Sequence, residues 1–462
     1  MVALGLRPNA SAVLNMKRAS KTPGPSRVRL IRDYPKIRRD LSRYLVELTA
    51  EFGEAVLLPI LHPTYMLGNP ADIKHILVAN PQNYHKTGGL LIGKELFGEG
   101  LVTSEIPLHP CQRKIMQPMF HRQSIANFAA IMTRTTCEWI KNWQDGGTVN
   151  LGLEMMQITM AIVGQTLFSV DLSREAKEIG NAYLRCQLEI TATQRGFPLP
   201  KFLRAPGTRR YQTALKSIND YIFGLINTRR SQSNRPDDLL TLLLASQYDD
   251  GTGMSDKQIR DELVTLLMAG HETVANGLTW TFYLLSQNPD ALARVFKELD
   301  ETLAGRLPTM ADLPSLKYIE MVSAEAMRLY PPAWILARRV LQDDKLPSGI
   351  TLPAGSEVIM VQFACHRNPE YFRDPERFDP ERFDPAVKKE WPQFAYFPFG
   401  SGPRFCIGES FARMEAALLI ATILQQFDLQ LLPDHKKIVP EPLITLRPKH
   451  PIMMKARRRV AK

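Results

Sequence analysis

The residues best placed to do chemistry lie in Phe399-Gly400-Ser401-Gly402-Pro403-Arg404-Phe405-Cys406-Ile407-Gly408. This glycine-rich loop delivers one cysteine to the expected start of a helix. Free N–H groups and the dipole at a helix start stabilise an anion, so the position favours thiolate over thiol. Gly402 and Gly408 permit close backbone approach and unusual dihedrals. Arg404, two residues before Cys406, offers a planar fork to a carboxylate. A lone thiolate, glycines that make room and an arginine for an acid group fit a haem, with sulfur on the iron and a propionate on the arginine. A Cys-x-Gly by itself would read as a structural cysteine beside a turn. The full set of positions carries the haem reading.

Two further constellations gain meaning beside that loop. Glu325 and Arg328 share one helix face at i, i+3 and can pair. Alone they are an ordinary surface ion pair, but Arg382, in Phe378-Asp379-Pro380-Glu381-Arg382-Phe383, would complete a buried triad with them. Breaking such a network costs about 3–5 kcal/mol. The third is Ala269-Gly270-His271-Glu272-Thr273 in the middle of a long helical pattern. Glycine there costs ~1 kcal/mol relative to alanine, which implies close approach of a neighbour and room beside a cofactor. An acid followed by a hydroxyl is a proton-relay pair when it faces a reactive oxygen ligand. Without such a partner it is a solvent-facing Glu-Thr. His271 reads as structural rather than as a metal ligand.

The elements that must position these groups can be sketched from periodicity and turn chemistry. Residues 1–25 are polar and basic, with Pro23 and Pro25, and read as a flexible arm. Alternation near 52–68 predicts a hairpin. From 109 to 305 the pattern is helical, broken at Ser231–Pro236 and Asp249–Gly253, with a long central helix over Asp261–Ser286. A helix over Ser315–Leu329 stops at Tyr330-Pro331-Pro332, because proline cannot continue it. Residues 334–365 predict short strands, 366–405 an ordered segment of little periodicity, and 408–427 a final helix. The repeat of D-P-E-R-F at 374–378 and 379–383 is too short to mark a repeat architecture.

Composition bounds the rest. A length of 462 residues suggests two or three domains or one unusually large core. Five cysteines without a C-x-x-C pair exclude a zinc ribbon or disulfide framework and point to a reducing compartment. No run of 18 apolar residues and no export-signal pattern are found, so a soluble cytoplasmic chain without a transmembrane anchor is expected. The formal charge of +11, from 58 Lys and Arg against 47 Asp and Glu, suits acidic partners. With no zinc finger, basic zipper or RNP-like segment, nucleic acid is not expected among them. The tail Lys455, Arg457, Arg458, Arg459 and Lys462 reads as a solvated end.

Taken together, the three constellations give the chain a resemblance to the cytochrome P450 haem-thiolate monooxygenases over residues 30–455. It matches F-x-x-G-x-R-x-C-x-G at Phe399, Gly402, Arg404, Cys406 and Gly408, E-x-x-R at Glu325 and Arg328 with P-E-R-F at Pro380–Phe383, and A-G-x-E-T at Ala269–Thr273. The resemblance implies a mainly α fold with a small β-rich lobe, a triangular prism around haem. It also implies a single haem domain over 26–462 behind the 1–25 arm, so the two-domain reading of the length gives way.

By that resemblance Cys406 is the axial metal ligand to haem b. Ala269, Gly270, Phe399, Gly402 and Gly408 line the cofactor. His109 and Arg113, in the histidine version of W-x-x-x-R, hold propionate together with Arg404 and either Arg338 or Arg339, with the turn at Pro353-Ala354-Gly355 favouring Arg339. The implied reaction inserts one atom of O₂ into an apolar molecule by hydroxylation or epoxidation, with Glu272 and Thr273 guiding protons. Electrons come from NAD(P)H indirectly, through an acidic ferredoxin or flavodoxin that docks on Arg113, Lys114, Arg122 and Arg413. A peroxide-driven peroxygenase and a non-catalytic haem-thiolate sensor are the alternatives, and the retained acid–hydroxyl pair counts against both. Pocket walls are expected from 86–101, 188–202, 267–273, 333–336 and 443–446, including Leu90, Leu91, Leu267, Met268, Trp334, Ile335 and Ile444. Such walls suit a fatty acid, terpenoid, steroid or polyketide, with Arg195 a conceivable carboxylate anchor. A monomer is expected.

Overall fold

The computed structural model describes residues 22–60, 62–87, 93–172, 175–195 and 205–459; Arg122 and Arg195 are described for their backbone alone. Two short helices, α1 (Arg27–Arg32) and α2 (Tyr34–Arg39), precede α3 (Leu41–Phe52). Hairpin β1 (Ala55–Pro59) and β2 (Pro63–Leu67) follows, paired antiparallel from Ala55↔Leu67 to Pro59↔Pro63. Next come β3 (Tyr84–Lys86), α4 (Leu108–Met116), α5 (Ala129–Ile140), β4 (Gly147–Asn150) and α6 (Leu151–Leu167). The helices α7 (Ala176–Arg195), α8 (Ala205–Ser231) and α9 (Asp256–Gln287) follow, then α10 (Lys317–Leu329). The chain ends through β5 (Leu336–Val340), β6 (Glu357–Met360), α11 (Glu409–Gln426), β7 (Phe427–Leu431) and β8 (Met453–Arg458).

The spine is α9, 32 residues and so roughly 48 Å long. It starts where the Ser255 side chain accepts from the Gln258 N–H, with Asp256 in the first turn, and stops at Asn288 before Pro289. Nearly all of its circumference is buried, which is why its sequence lacks a clean polar face. Helices α6, α8, α10 and α11 pack around it. Trp280 of α9 stacks on Tyr330, centroids 3.9 Å apart, just where Pro331 ends α10. The largest apolar cluster fills this helical body, and two smaller ones fill the β lobe. The lobe's sheet runs β1-β2-β6-β5-β3, with β2 parallel to β6 and the other neighbours antiparallel. This is a mainly α architecture with small sheets. Among the described residues no helix is long and apolar enough to cross a membrane.

One sequence expectation is corrected, and two groups of elements went unread. Residues 22–25 are not part of a free arm: Pro23 O accepts from Leu57 N–H at 2.8 Å, Pro25 is buried, and a Cβ on Gly24 would stand 2.0 Å from Leu57 O. Residues 1–21 lie outside the described part. Helices α1 and α2 escaped the periodicity reading because they bury no residue, so no apolar stripe marks them; α3, which buries Tyr44, Leu45 and Leu48, went unread although it has one. The sheet β4-β8-β7 joins strands distant in sequence and leaves no local signal.

Glu325, Arg328 and Arg382 do meet, but unequally. Arg328 donates Nε and Nη2 to the two Glu325 oxygens at 2.7 Å each, Nη1 to His366 O and Pro375 O at 2.8 Å, and Nη2 to Arg377 O at 3.2 Å. All five guanidinium donors are thus used, with both side chains fully buried. Arg382 is only an ion-pair neighbour, its Nε 3.5 Å from Glu325, and its hydrogen bond goes to Asp374 O at 2.9 Å. Glu325→Ala should therefore cost about 3–5 kcal/mol in denaturant unfolding, because it strands a buried cation. Arg382→Ala should cost less, about 1–2 kcal/mol. Equal losses for the two variants would contradict this hierarchy.

Candidate functional site

The cysteine loop is shaped by two glycines in the left-handed region, Gly400 at φ 69° and Gly402 at φ 66°. A Cβ on Gly402 would sit 1.8 Å from Leu77 O, so only glycine lets the loop lie against residues 75–79. The Cys406 N–H donates to Phe399 O at 3.0 Å. No side chain caps α11 at Gly408, and Arg113 Nη1 holds Phe405 O at 2.7 Å. Cys406 alone among the five cysteines is exposed; Cys186 and Cys365 are buried, and burial pushes each of those thiols up to about 12. Two effects oppose each other at the Cys406 thiol: desolvation pushes its pKa up, and the Gly408 N–H and Arg113 pull it down. A metal ion, which deprotonates a coordinating thiol outright, would tip the balance.

Beside this loop lies a buried surplus of cations. Strand pairing sets Lys86 directly opposite Arg338. Lys86 is buried, and its Nζ donates to Leu101 O and Ser104 O, at 3.3 Å each, and to Val102 O. Arg404 donates to Ser104 O at 2.7 Å and pairs with Glu105, which also accepts from the Lys86 N–H at 2.6 Å. His109 and Arg113 approach on one face of α4. Burial, with Arg404 beside it, pulls Lys86 down to about 6, Arg338 down to about 10 and His109 down to about 3. The Glu105 carboxylate faces Lys86, Arg338 and Arg404. Like charges directly across a strand pair are destabilising, so the cluster fits an additional bound anion. The two propionates of a haem would supply it.

Arg339 does not join the cluster. Side chains alternate along β5, and Arg339 points to the other face, 3.5 Å from Glu357. Of the two candidates the geometry selects Arg338. Lys86 and Glu105 escaped sequence reasoning because the register between β3 and β5, rather than any motif, brings them in.

The opposite wall comes from α9. Ala269 is exposed and Thr273 half-buried, in a stretch where Leu263–Met268, His271 and Glu272 are all buried. Thr273 Oγ1 donates to Ala269 O at 2.7 Å, so both mark one cleft-facing strip. Gly270 permits the close approach of a neighbour: a Cβ there would come within 3.1 Å of Val163, so the glycine lets α6 cross α9 closely. Glu272 turns away from the cleft. Its Oε1 accepts from Thr445 Oγ1 at 2.8 Å, its Oε2 accepts from Gln187 Nε2, and Tyr183 also bonds it. Asn276 Nδ2 donates to Thr445 Oγ1 at 3.0 Å. Burial pushes the Glu272 carboxyl up. Acid and hydroxyl are neighbours in sequence but face different environments.

Outside the loop, a hollow of about 440 Å³ is lined by His109, Arg113, Lys114, Gln117 and His121, and a smaller one beside it reaches Cys406. Lys114 pairs with Asp249 at 3.3 Å and Arg413 with Glu409 at 2.9 Å, so neither is a bare charge. Of the expected pocket walls, Leu267, Met268 and Trp334 are buried within the apolar clusters, while Ile335, Leu336 and Ile444 are half-buried. Leu90, Leu91 and residues 196–202 lie outside the described part.

Comparison with known proteins bears on this geometry. Residues 22–456 match the family model described as Cytochrome P450. The chain is 36% identical over 372 residues to cyclooctat-9-en-7-ol 5-monooxygenase of Streptomyces melanosporofaciens, covering 80% of this chain and 81% of that one. It is 34% identical over 376 residues to pentalenene oxygenase of Streptomyces avermitilis, covering 80% and 82%. It is 30% identical over 407 residues to the chloroplastic carotene epsilon-monooxygenase of Arabidopsis thaliana, covering 80% and 73%.

His271 offers a pH test of the buried network around α9. It is 1% exposed, its Nδ1 lies 2.7 Å from Leu267 O, and burial lowers its pKa to about 4. A base depressed on folding contributes stability that is present above its unfolded pKa, near 6.5, and is lost as pH falls toward 4. Relative to wild type, His271→Gln should lose less stability between pH 6.5 and 4, by up to about 3 kcal/mol. Parallel stability–pH curves would refute a neutral buried His271.

Proposed function

Because this chain belongs to the cytochrome P450 family, we propose a residue-by-residue reading of it as a monooxygenase acting on a terpenoid. The chain is a haem monooxygenase that uses O₂ on an apolar substrate, with electrons from a redox partner. When bound, haem supplies the oxygen chemistry, and a thiolate on its iron favours O–O cleavage. One observation carries the assignment of residues: a single accessible thiol sits in a glycine-shaped loop beside a buried surplus of cations. In this reading Cys406 is the ligand, and Arg404, Arg338, Arg113, His109 and Lys86 hold the two propionates. Phe399, Gly402 and Gly408 shape the thiol side, and Ala269 forms the opposite wall.

Thr273 holds a proton at Oγ1, donated to Ala269 O and available to the cleft. Glu272 is the store behind it. Burial favours the protonated carboxyl against three hydrogen bonds, from Gln187, Thr445 and Tyr183, that favour the charged one, and a turn of its side chain away from Gln187 would carry that proton toward Thr273. The relatives' names favour a terpenoid over a fatty acid, steroid or polyketide. We place an acidic ferredoxin or flavodoxin on the hollow beside Arg113, Lys114 and His121, because that surface reaches the cysteine loop. The chain from residue 26 onward acts as one haem domain in this reading.

Cys406→Ser should abolish the long-wavelength absorption of the reduced carbonyl complex, whereas Cys365→Ser should keep it. Survival of the band in Cys406→Ser would overturn the assignment. Terpenoid ligands should perturb the haem spectrum more strongly than fatty acids do, and the reverse order would move the substrate class.

The propionate reading predicts an asymmetry between neighbours. Arg338→Gln should raise the rate of haem loss to a scavenger protein about tenfold or more, and Arg339→Gln should leave it within about twofold; a tenfold step is worth 1.4 kcal/mol. The opposite ranking would restore Arg339 to the role.

Thr273→Ala should keep electron uptake while product per NAD(P)H falls and hydrogen peroxide rises. Full coupling in that variant would remove Thr273 from proton delivery.

A further inference from the structure

The positive charge of this chain is concentrated at one end. Ten of its 58 Lys and Arg, but only one of its 47 Asp and Glu, fall within residues 1–39, which leaves the remainder at +2 of the total +11. The described part of that segment, α1 and α2, sits against the β lobe and buries no side chain. Val28 and Ile31 are each 76% exposed, more than any other large apolar side chain among the described residues. Tyr34 on α2 and Ile60 at the end of the β1–β2 hairpin are exposed too. Arg27 Nε donates to Pro59 O at 3.2 Å, which brings the hairpin end beside α1. Arg32, Arg38 and Arg39 are exposed on the same two helices. Arg32 lies against Asp33, and no ion pair involves Arg38 or Arg39 among the described residues.

Single exposed apolar side chains need no explanation, but a cluster of them rimmed by cations does. Among the described residues nothing packs over Val28 or Ile31. Nucleic acid would use the arginines but has no place for Val28, Ile31 and Ile60, since its protein contacts are phosphates and stacked bases. An anionic bilayer takes both: the phosphates meet the guanidinium groups, and the boundary below them takes the aliphatic side chains.

We propose that this face, α1 and α2 with Ile60, docks peripherally on an anionic lipid bilayer. Docking there would bring the enzyme to the phase in which an apolar substrate accumulates, although the surface itself stands independently of which substrate is used.

The test uses the full-length haem-loaded protein and sedimentation with vesicles. Wild type should bind vesicles of phosphatidylglycerol and phosphatidylcholine at least tenfold more tightly than vesicles of phosphatidylcholine alone, and high salt should release it. Val28→Ser with Ile31→Ser and Ile60→Ser should weaken binding at least tenfold. Arg38→Glu with Arg39→Glu should do the same and flatten the salt dependence. Both sets should retain the haem spectrum. Replacing Lys17, Arg18 and Lys21 by Gln in the full chain separates the surface from the preceding segment. If those replacements abolish binding while both surface variants bind as wild type does, the proposal is overturned. It is equally overturned if wild type binds neither vesicle, or if it binds duplex DNA in preference to both.

Discussion

A single buried guanidinium, that of Arg328, anchors the frame on which the cysteine loop is built. Its charge is matched by Glu325 one helical turn earlier, and its remaining donors collect three carbonyls from the long segment after α10. The connection runs on from there. His366, whose carbonyl Arg328 holds, accepts the Phe397 N–H at Nε2, 3.1 Å away. Burial together with Arg328 and Arg367 keeps that imidazole neutral, and so able to accept. Phe397 O takes the Gly400 N–H, and Phe399 O takes that of Cys406. The position of the thiol thus depends on an ion pair that never touches it. A buried charge without its partner is costly enough that the segment has few alternative arrangements.

The second constraint is a deliberate imbalance. Lys86, Arg338, Arg404, Arg113 and His109 converge, Glu105 faces the first three, and Arg404 depresses the proton affinity of Lys86, Arg338 and His109. An anion bound among these residues would therefore link its binding to stability. The loop from Gly98 to Glu105 takes part in the same arrangement. It is tied to α9 by the Leu101 N–H on Glu262 at 2.9 Å and to α4 by Ser104 on Gln112 at 2.6 Å. The loop carbonyls that accept from Lys86 are thereby held still.

The central helix separates two tasks that its sequence places side by side. Residues 269 and 273, one turn apart, face the cleft, and residue 272 faces α7 and the 443–446 segment. A helix advances its side chains by about 100° per residue, so neighbours cannot share an environment. The hydroxyl stays on the exposed strip of the helix, while the carboxyl is buried against Gln187, Thr445 and Tyr183. Gly270 serves the close crossing of α6.

Sequence alone determined what depends on local geometry. The i, i+3 pair at Glu325 and Arg328, the proline stop at Pro331, the hairpin near 55–67 and the glycine loop before Cys406 all rest on spacings of a few residues, where backbone sterics leave little choice. Tertiary structure alone decided everything that depends on register or packing. Arg338 rather than Arg339 enters the cation cluster because the pairing of β5 with β3 sets the phase of the side-chain alternation, and a shift of one residue would exchange them. Lys86, Gln187 and Thr445 belong to the site through contacts between elements far apart in the chain. The thiol's proton affinity also draws on both levels. A helix start can be read from sequence, whereas the desolvation that opposes it comes from walls that only the folded chain assembles.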